Sequence, residues 1–143
     1  MTLSLNREFL LRHLFVAAVM AAMGGWFGYD GFVNYPRQGD EFFEERHLKR
    51  ENAISRQKEF MVLAFLASAV ILIHLGKVAA FRFEFDDEGF TFRGVRRKFA
   101  DVAKVDRSLW GKKGIIVVDG IKLDAWHHVG VKDFVAKLED RGK

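Results

Sequence analysis

Two long apolar blocks on either side of a charged loop constrain this chain more than any other feature. Leu14 to Tyr29 carries no charged side chain, and the apolar stretch reaches back to Leu10 with only Arg12 and His13 interrupting it. At a rise of about 1.5 Å per residue, a helix of that length reaches about 30 Å, the thickness of a bilayer's hydrocarbon core. The second block, Phe60 to Gly76, reads FMVLAFLASAVILIHLG. It extends to Phe81 if Lys77 lifts its ammonium toward the headgroups. A core helix of a soluble protein keeps a polar stripe, whereas these blocks are apolar on almost every side. A cleaved signal peptide is a rival for the first block, since Arg7 and Arg12 precede it and Ala22-Met23-Gly24 is a small-x-small site, but the apolar run continues past that site.

The expected fold class is therefore an α+β membrane protein: a transmembrane helical hairpin followed by a small antiparallel β-sheet domain with a C-terminal helix. Its expected segments are a tail and first span (1–29), a charged, partly helical loop (30–59), a second span (60–81) and a β-rich domain (82–143) abutting the membrane. Two spans place both termini on one side. The loop holds six cations, and the flanks, with Arg7, Arg12, Lys77, Arg82, Arg93 and Arg96, hold as many, so loop charge alone nearly ties. The short basic N-terminus and the basic C-terminal region, with fourteen cations against eleven carboxylates over 79–143, favour the cytoplasm. Cysteine is absent, which excludes disulfides and thiolate chemistry.

Within the loop, Pro36 is expected to end the first helical segment. Nothing from Asp40 to Phe60 breaks a helix by composition, so the second helix is expected over about 41–80, roughly 60 Å long, with Glu45 and Lys49 as an i,i+4 pair. Small residues recur at four-residue spacing as Ala17, Ala21, Gly25 and as Gly24, Gly28, with Ala64 and Ser68 on the second span. In lipid such spacing lets backbones approach closely, which makes these residues the candidate helix-packing face.

From Ala80 the apolar period changes from a helix to a strand. Phe81, Phe83 and Phe85 alternate with charged residues; Asp86, Asp87, Glu88 and Gly89 make a turn; Phe90 and Phe92 continue the alternation. Val102 and Val105 mark a third strand, and Asp119-Gly120 between two apolar runs is a two-residue hairpin signal. Val131, Phe134, Val135 and Leu138 fall at i, i+3, i+4, i+7, an amphipathic helix that covers the sheet.

These residues carry a resemblance. FxFxxxGFTFR, FADVAKVDRSLWGKKGIIVVDGIKLDAW and VKDFVAKL, over about residues 79–140, look like the small pleckstrin-homology-like (PH-like) domains that bacterial membrane proteins carry beside transmembrane hairpins. The matching features are the Asp101 to Val105 strand, the Trp110 to Gly114 turn and the final apolar helix. A full pleckstrin fold has seven strands, so the first strands are expected to be missing or supplied by a partner. The resemblance implies an interaction module in a bacterial inner membrane, not an active site.

The search for chemistry agrees with that implication. No metal-ligand spacing, nucleophile elbow or phosphate loop is present, and no basic stripe with interleaved aromatics suggests nucleic acid. His127 and His128 are adjacent, so on a strand they point to opposite faces. Arg96, Arg97 and Lys98 are candidates for anionic lipid headgroups. His13 and His74 fall at matched depth in an antiparallel hairpin, where they could ligate a haem, or singly a chlorin; visible absorbance of the purified protein would reveal it. No cofactor is the leading expectation. The expected function is a non-catalytic accessory or scaffolding subunit whose partners are other membrane protein subunits and membrane lipids. The alternatives are an anionic-lipid sensor and a haem or pigment carrier.

Overall fold

The structure, a computed structural model, describes residues 1–141. The protein is α+β, and its chain falls into two units that interleave in sequence: Leu11–Gly76, and Met1–Leu10 together with the chain from Lys77 onward.

The first unit is helical. Helix α1 (Arg7–Tyr29) enters it and continues through a π-helical turn (Asp30–Asn34) into a last helical turn, α2 (Tyr35–Arg37). Pro36 thus lies inside the helical path instead of stopping it. A proline has no N–H for the carbonyl four residues back, and its ring crowds that carbonyl. The π turn, in which the Tyr35 N–H donates to the Asp30 carbonyl five residues back, widens the helix just before the ring. The path ends at Arg37, where Gln38 turns extended.

The expected single helix over 41–80 is two. Helix α3 (Asp40–Glu44) stops, and α4 (Arg50–Ala79) begins after a gap of five residues. His47 causes the break with a left-handed backbone, φ 54°. Its N–H donates to the Glu44 carbonyl and the Leu48 N–H donates to that of Phe43, the paired bonds of a Schellman end. Glu45 and Lys49 consequently flank a turn and form no i,i+4 helix pair. Helix α4, at 30 residues, is about 45 Å long at the usual rise.

By length and composition both long helices are apolar enough to cross a membrane. Only 17% and 22% of their most apolar windows are buried, whereas a core helix of a soluble protein would be mostly covered.

The second unit is built of short antiparallel strands: β1 (Ser4–Leu5), β2 (Phe83–Phe85), β3 (Gly89–Phe92), β4 (Val95–Lys98), β5 (Val105–Asp106), β6 (Ile115–Val118), β7 (Ile121–Asp124) and β8 (His128–Val129). They form sheets β2-β3-β4, β5-β6-β7 and β1-β8. Phe83 faces Phe92 and Phe85 faces Phe90 across β2 and β3. Gly89 is required where β3 meets β4, since a Cβ there would lie 2.1 Å from the Arg97 carbonyl oxygen. The Asp119-Gly120 hairpin forms as its residues demand, with φ 47° and 82° at the two turn positions. The expected turn at Trp110 to Gly114 is a helical turn, α5 (Trp110–Lys113).

Helix α6 (Val131–Arg141) closes the unit, and Val131, Phe134, Val135 and Leu138 are all buried, as their spacing predicts. The core joins them to Phe83, Phe85, Phe90, Phe99, Ile116, Val118, Ile121 and Leu123. It also includes Leu3. Residues 1–3 run antiparallel to β2: the Leu3 N–H donates to the Phe83 carbonyl, the Phe85 N–H donates to that of Met1, and Thr2 bridges Glu84. The chain then pairs as β1 with β8. The first residues therefore supply an edge that the C-terminal sequence lacks.

Candidate functional site

The small residues of the two long helices converge inside the first unit. Ala17, Ala64 and Ser68 are buried, and the Ser68 hydroxyl donates to the Ala17 carbonyl at 3.0 Å. A Cβ on Gly24 would meet the Phe65 ring at 3.1 Å, and one on Gly28 would meet the Met61 sulfur at 3.0 Å. Ala21 is half-buried. Gly31, not singled out from sequence, continues the seam, with Lys58 and Gln57 at 3.1 and 3.2 Å from its would-be Cβ; its signal was the seven-residue step Ala17, Gly24, Gly31. Such close backbone approach is what small residues allow where lipid offers no hydrophobic drive for association. Gly25 is placed differently. Nothing lies within 4 Å of its would-be Cβ, so it faces away from the seam, beside Trp26, which is 69% exposed.

His13 and His74 do come together, with ring centroids 6.2 Å apart and planes tilted by 43°. The Ser68 to Ala17 contact lies one turn along α1 from His13.

Farther along the same unit a polar ladder forms. The Asn34 amide donates to the buried Asp30 carboxylate at 2.9 Å, and the Gln38 amide donates to the Asn34 side-chain oxygen at 3.1 Å. Arg50 ties the turn that follows, donating to the Pro36 carbonyl at 2.9 Å and pairing with Asp40 at 3.2 Å. Tyr35 packs edge-on against Phe42 and Phe43.

In the second unit, Arg96, Arg97 and Lys98 lie on strand β4, exposed on both faces. Arg96 pairs with Asp86 at 2.7 Å and approaches Glu88 at 3.8 Å, while Arg97 reaches Asp119 at 3.4 Å. Two of the three candidate headgroup ligands are thus neutralised within the unit, and strand alternation turns Arg97 away from the side of Arg96 and Lys98. Asp86 is the acidic partner that the turn fixes: the backbone N–H of Glu88, then the Arg96 guanidinium, hold its carboxyl down at about 2.

His127 and His128 occupy different environments. His128 is buried, its ring tilted 38° to that of Phe81 at 4.9 Å, with Nε2 3.2 Å from the Val78 carbonyl at the end of α4. Burial pushes its pKa down, against the opposing effects of the Val78 carbonyl and Asp124. The neutral ring with a proton on Nε2 is thus a second donor to the Val78 carbonyl, which also accepts the Phe81 N–H. His127 packs against Phe9, itself buried, at 4.6 Å. Asn6 anchors this region: its side-chain oxygen caps α1 by accepting the Glu8 N–H, and its amide donates to the Trp126 carbonyl.

Compared with family models, with curated proteins and with solved structures, the chain finds no match.

Proposed function

We propose that the chain is a non-catalytic accessory or scaffolding subunit of a membrane protein complex, with two spans in a bacterial inner membrane and a PH-like domain at the surface. One observation carries this reading: the seam between the two helices is filled by their own small residues, yet Gly25 is open on the other side. A glycine facing away from its own partner helix is a notch where a second backbone can approach.

The test compares Gly25→Leu with Phe27→Leu, whose ring already packs against Phe60 at 5.4 Å. Leucine keeps the span apolar, so both variants should insert. Gly25→Leu is expected to lower recovery of co-purifying subunits from mild detergent at least about tenfold, which corresponds to about 1.4 kcal/mol. Phe27→Leu should leave recovery near wild type. Equal recovery from wild type and Gly25→Leu removes this face as the docking surface.

Both ends of the chain belong to one unit, which supports an even number of crossings, and the basic flanks favour the cytoplasm. A reporter fused after Lys143 should be active only in its cytoplasmic form. Activity of a periplasm-dependent reporter at that position reverses the orientation.

A further inference from the structure

Four basic residues of the second unit are paired within it: Arg96 with Asp86 and Glu88, Arg97 with Asp119, Arg107 with Glu139 and Lys137 with Asp87. Lys77, Arg82 and Arg93 form no ion pair among the described residues, and these three line one open cleft of 520 Å³ together with Ala80, Phe81 and Phe92. No carboxylate lines it.

The walls of the cleft have two chemistries. Phe81 and Phe92 pack at 5.4 Å and give it an apolar floor, while the three cations surround that floor. Arg93 lies 5.3 Å from the Phe92 ring centroid, over its own neighbour. Its backbone is left-handed, φ 52°, followed by Gly94 at φ 80°. Asparagine or glycine suits the first position of such a hairpin turn, and an arginine there is strained. Strain retained at a residue whose guanidinium borders a cleft marks a position held for its side chain.

The helix terminus beside the cleft would ordinarily repel an anion, because its last carbonyls are negative. Here the Val78 carbonyl already accepts from the Phe81 N–H and from His128 Nε2. Lys77 lies in the last turn of α4 and adds a positive charge at that same end.

We infer that this cleft binds the phosphodiester headgroup of an anionic phospholipid, with Lys77, Arg82 and Arg93 on the phosphate and Phe81 and Phe92 against the glycerol and first acyl carbons. The assignment to lipid, and not to free phosphate, rests on the apolar floor and on the reading of α4 as a membrane span, since Lys77 then lies at the depth of the headgroups. The three cations that carry it differ from the strand β4 triplet that the sequence pointed to.

The test uses the full chain in a neutral detergent, titrated with dihexanoyl-phosphatidylglycerol, dihexanoyl-phosphatidylcholine and inorganic phosphate, with bound lipid counted by native mass spectrometry. The triple variant Lys77→Gln, Arg82→Gln, Arg93→Asn removes the cleft charges, and asparagine relaxes the strained turn, so the variant should fold at least as well as wild type. The control is Arg96→Gln, Arg97→Gln, Lys98→Gln, with the same change in net charge. A cation near a lipid surface is worth about five-fold in binding, so the cleft variant should lose on the order of 100-fold in affinity for phosphatidylglycerol. The control should change it less than about five-fold. Equal losses in both variants would overturn the site in favour of general charge attraction. Phosphate binding as tightly as phosphatidylglycerol would overturn the assignment to lipid, and so would equal binding of phosphatidylcholine. The short-chain lipids are soluble, so the titration reads the cleft even if the chain partitions into water in a detergent phase-separation assay, the result that would instead defeat the membrane reading.

Discussion

Phe83→Asp is expected to unfold the second unit and to leave the two long helices intact. Phe83 has no exposed surface and touches the rings of Phe81, Phe90, Phe92 and Phe134 at centroid distances of 5.0 to 6.4 Å. Removing a buried ring of this kind costs about 3–5 kcal/mol, and burying an unpaired carboxylate in its place adds several more. A small domain has only about 5–15 kcal/mol in total. Limited proteolysis of the variant should cleave within 81–141 and spare the two long apolar helices. A variant as resistant as wild type would refute the ring cluster as the centre of this core.

Leu3→Asp has an effect of the same kind from the other end of the chain. Leu3 is 4% exposed and belongs to the core formed otherwise by residues from Phe83 onward. Its loss leaves a cavity worth about 2–5 kcal/mol, before the cost of the charge. The neighbouring Ser4 is exposed, so Ser4→Asp should leave the domain as resistant to protease as wild type. Unchanged resistance in Leu3→Asp would mean that the first residues do not pack on the domain, and the strand pairing with β2 and β8 would be lost with it.

Much of this architecture is legible in the sequence because one physical signal dominates each part. The two apolar helices follow from hydropathy, the Asp119-Gly120 hairpin from turn chemistry, and α6 from the spacing of Val131, Phe134, Val135 and Leu138. Where two signals compete, the sequence misleads. Val95 to Lys98 forms a strand although VRRK shows no apolar alternation, because both of its faces are exposed and pairing with β3 alone holds it. The break before α4 depends on a histidine adopting a conformation usually taken by glycine or asparagine, so no residue type announces it.

The same holds for the candidate site. Small-residue spacing identified Ala17, Gly24, Gly28, Ala64 and Ser68, but a four-residue pattern cannot separate Gly24 from Gly25, which point in different directions. The basic triplet of β4 was conspicuous because its members are adjacent. Lys77, Arg82 and Arg93 are spread along the chain, and only the hairpin turn at Arg93-Gly94 brings the last of them beside the others.

The placement of residues 1–5 against β2 and β8 also sets an order for biosynthesis. Strand β1 cannot find its partner until the chain beyond His128 has been made, and both long helices intervene in sequence. Closure of that long loop carries an entropic cost that grows only slowly with length, so the delay is kinetic more than thermodynamic. During translation Leu3 waits as a short apolar segment without a sheet. A nascent chain stalled before His128 would have both long helices made and this edge still unpaired, a state in which chaperones and proteases have their best access.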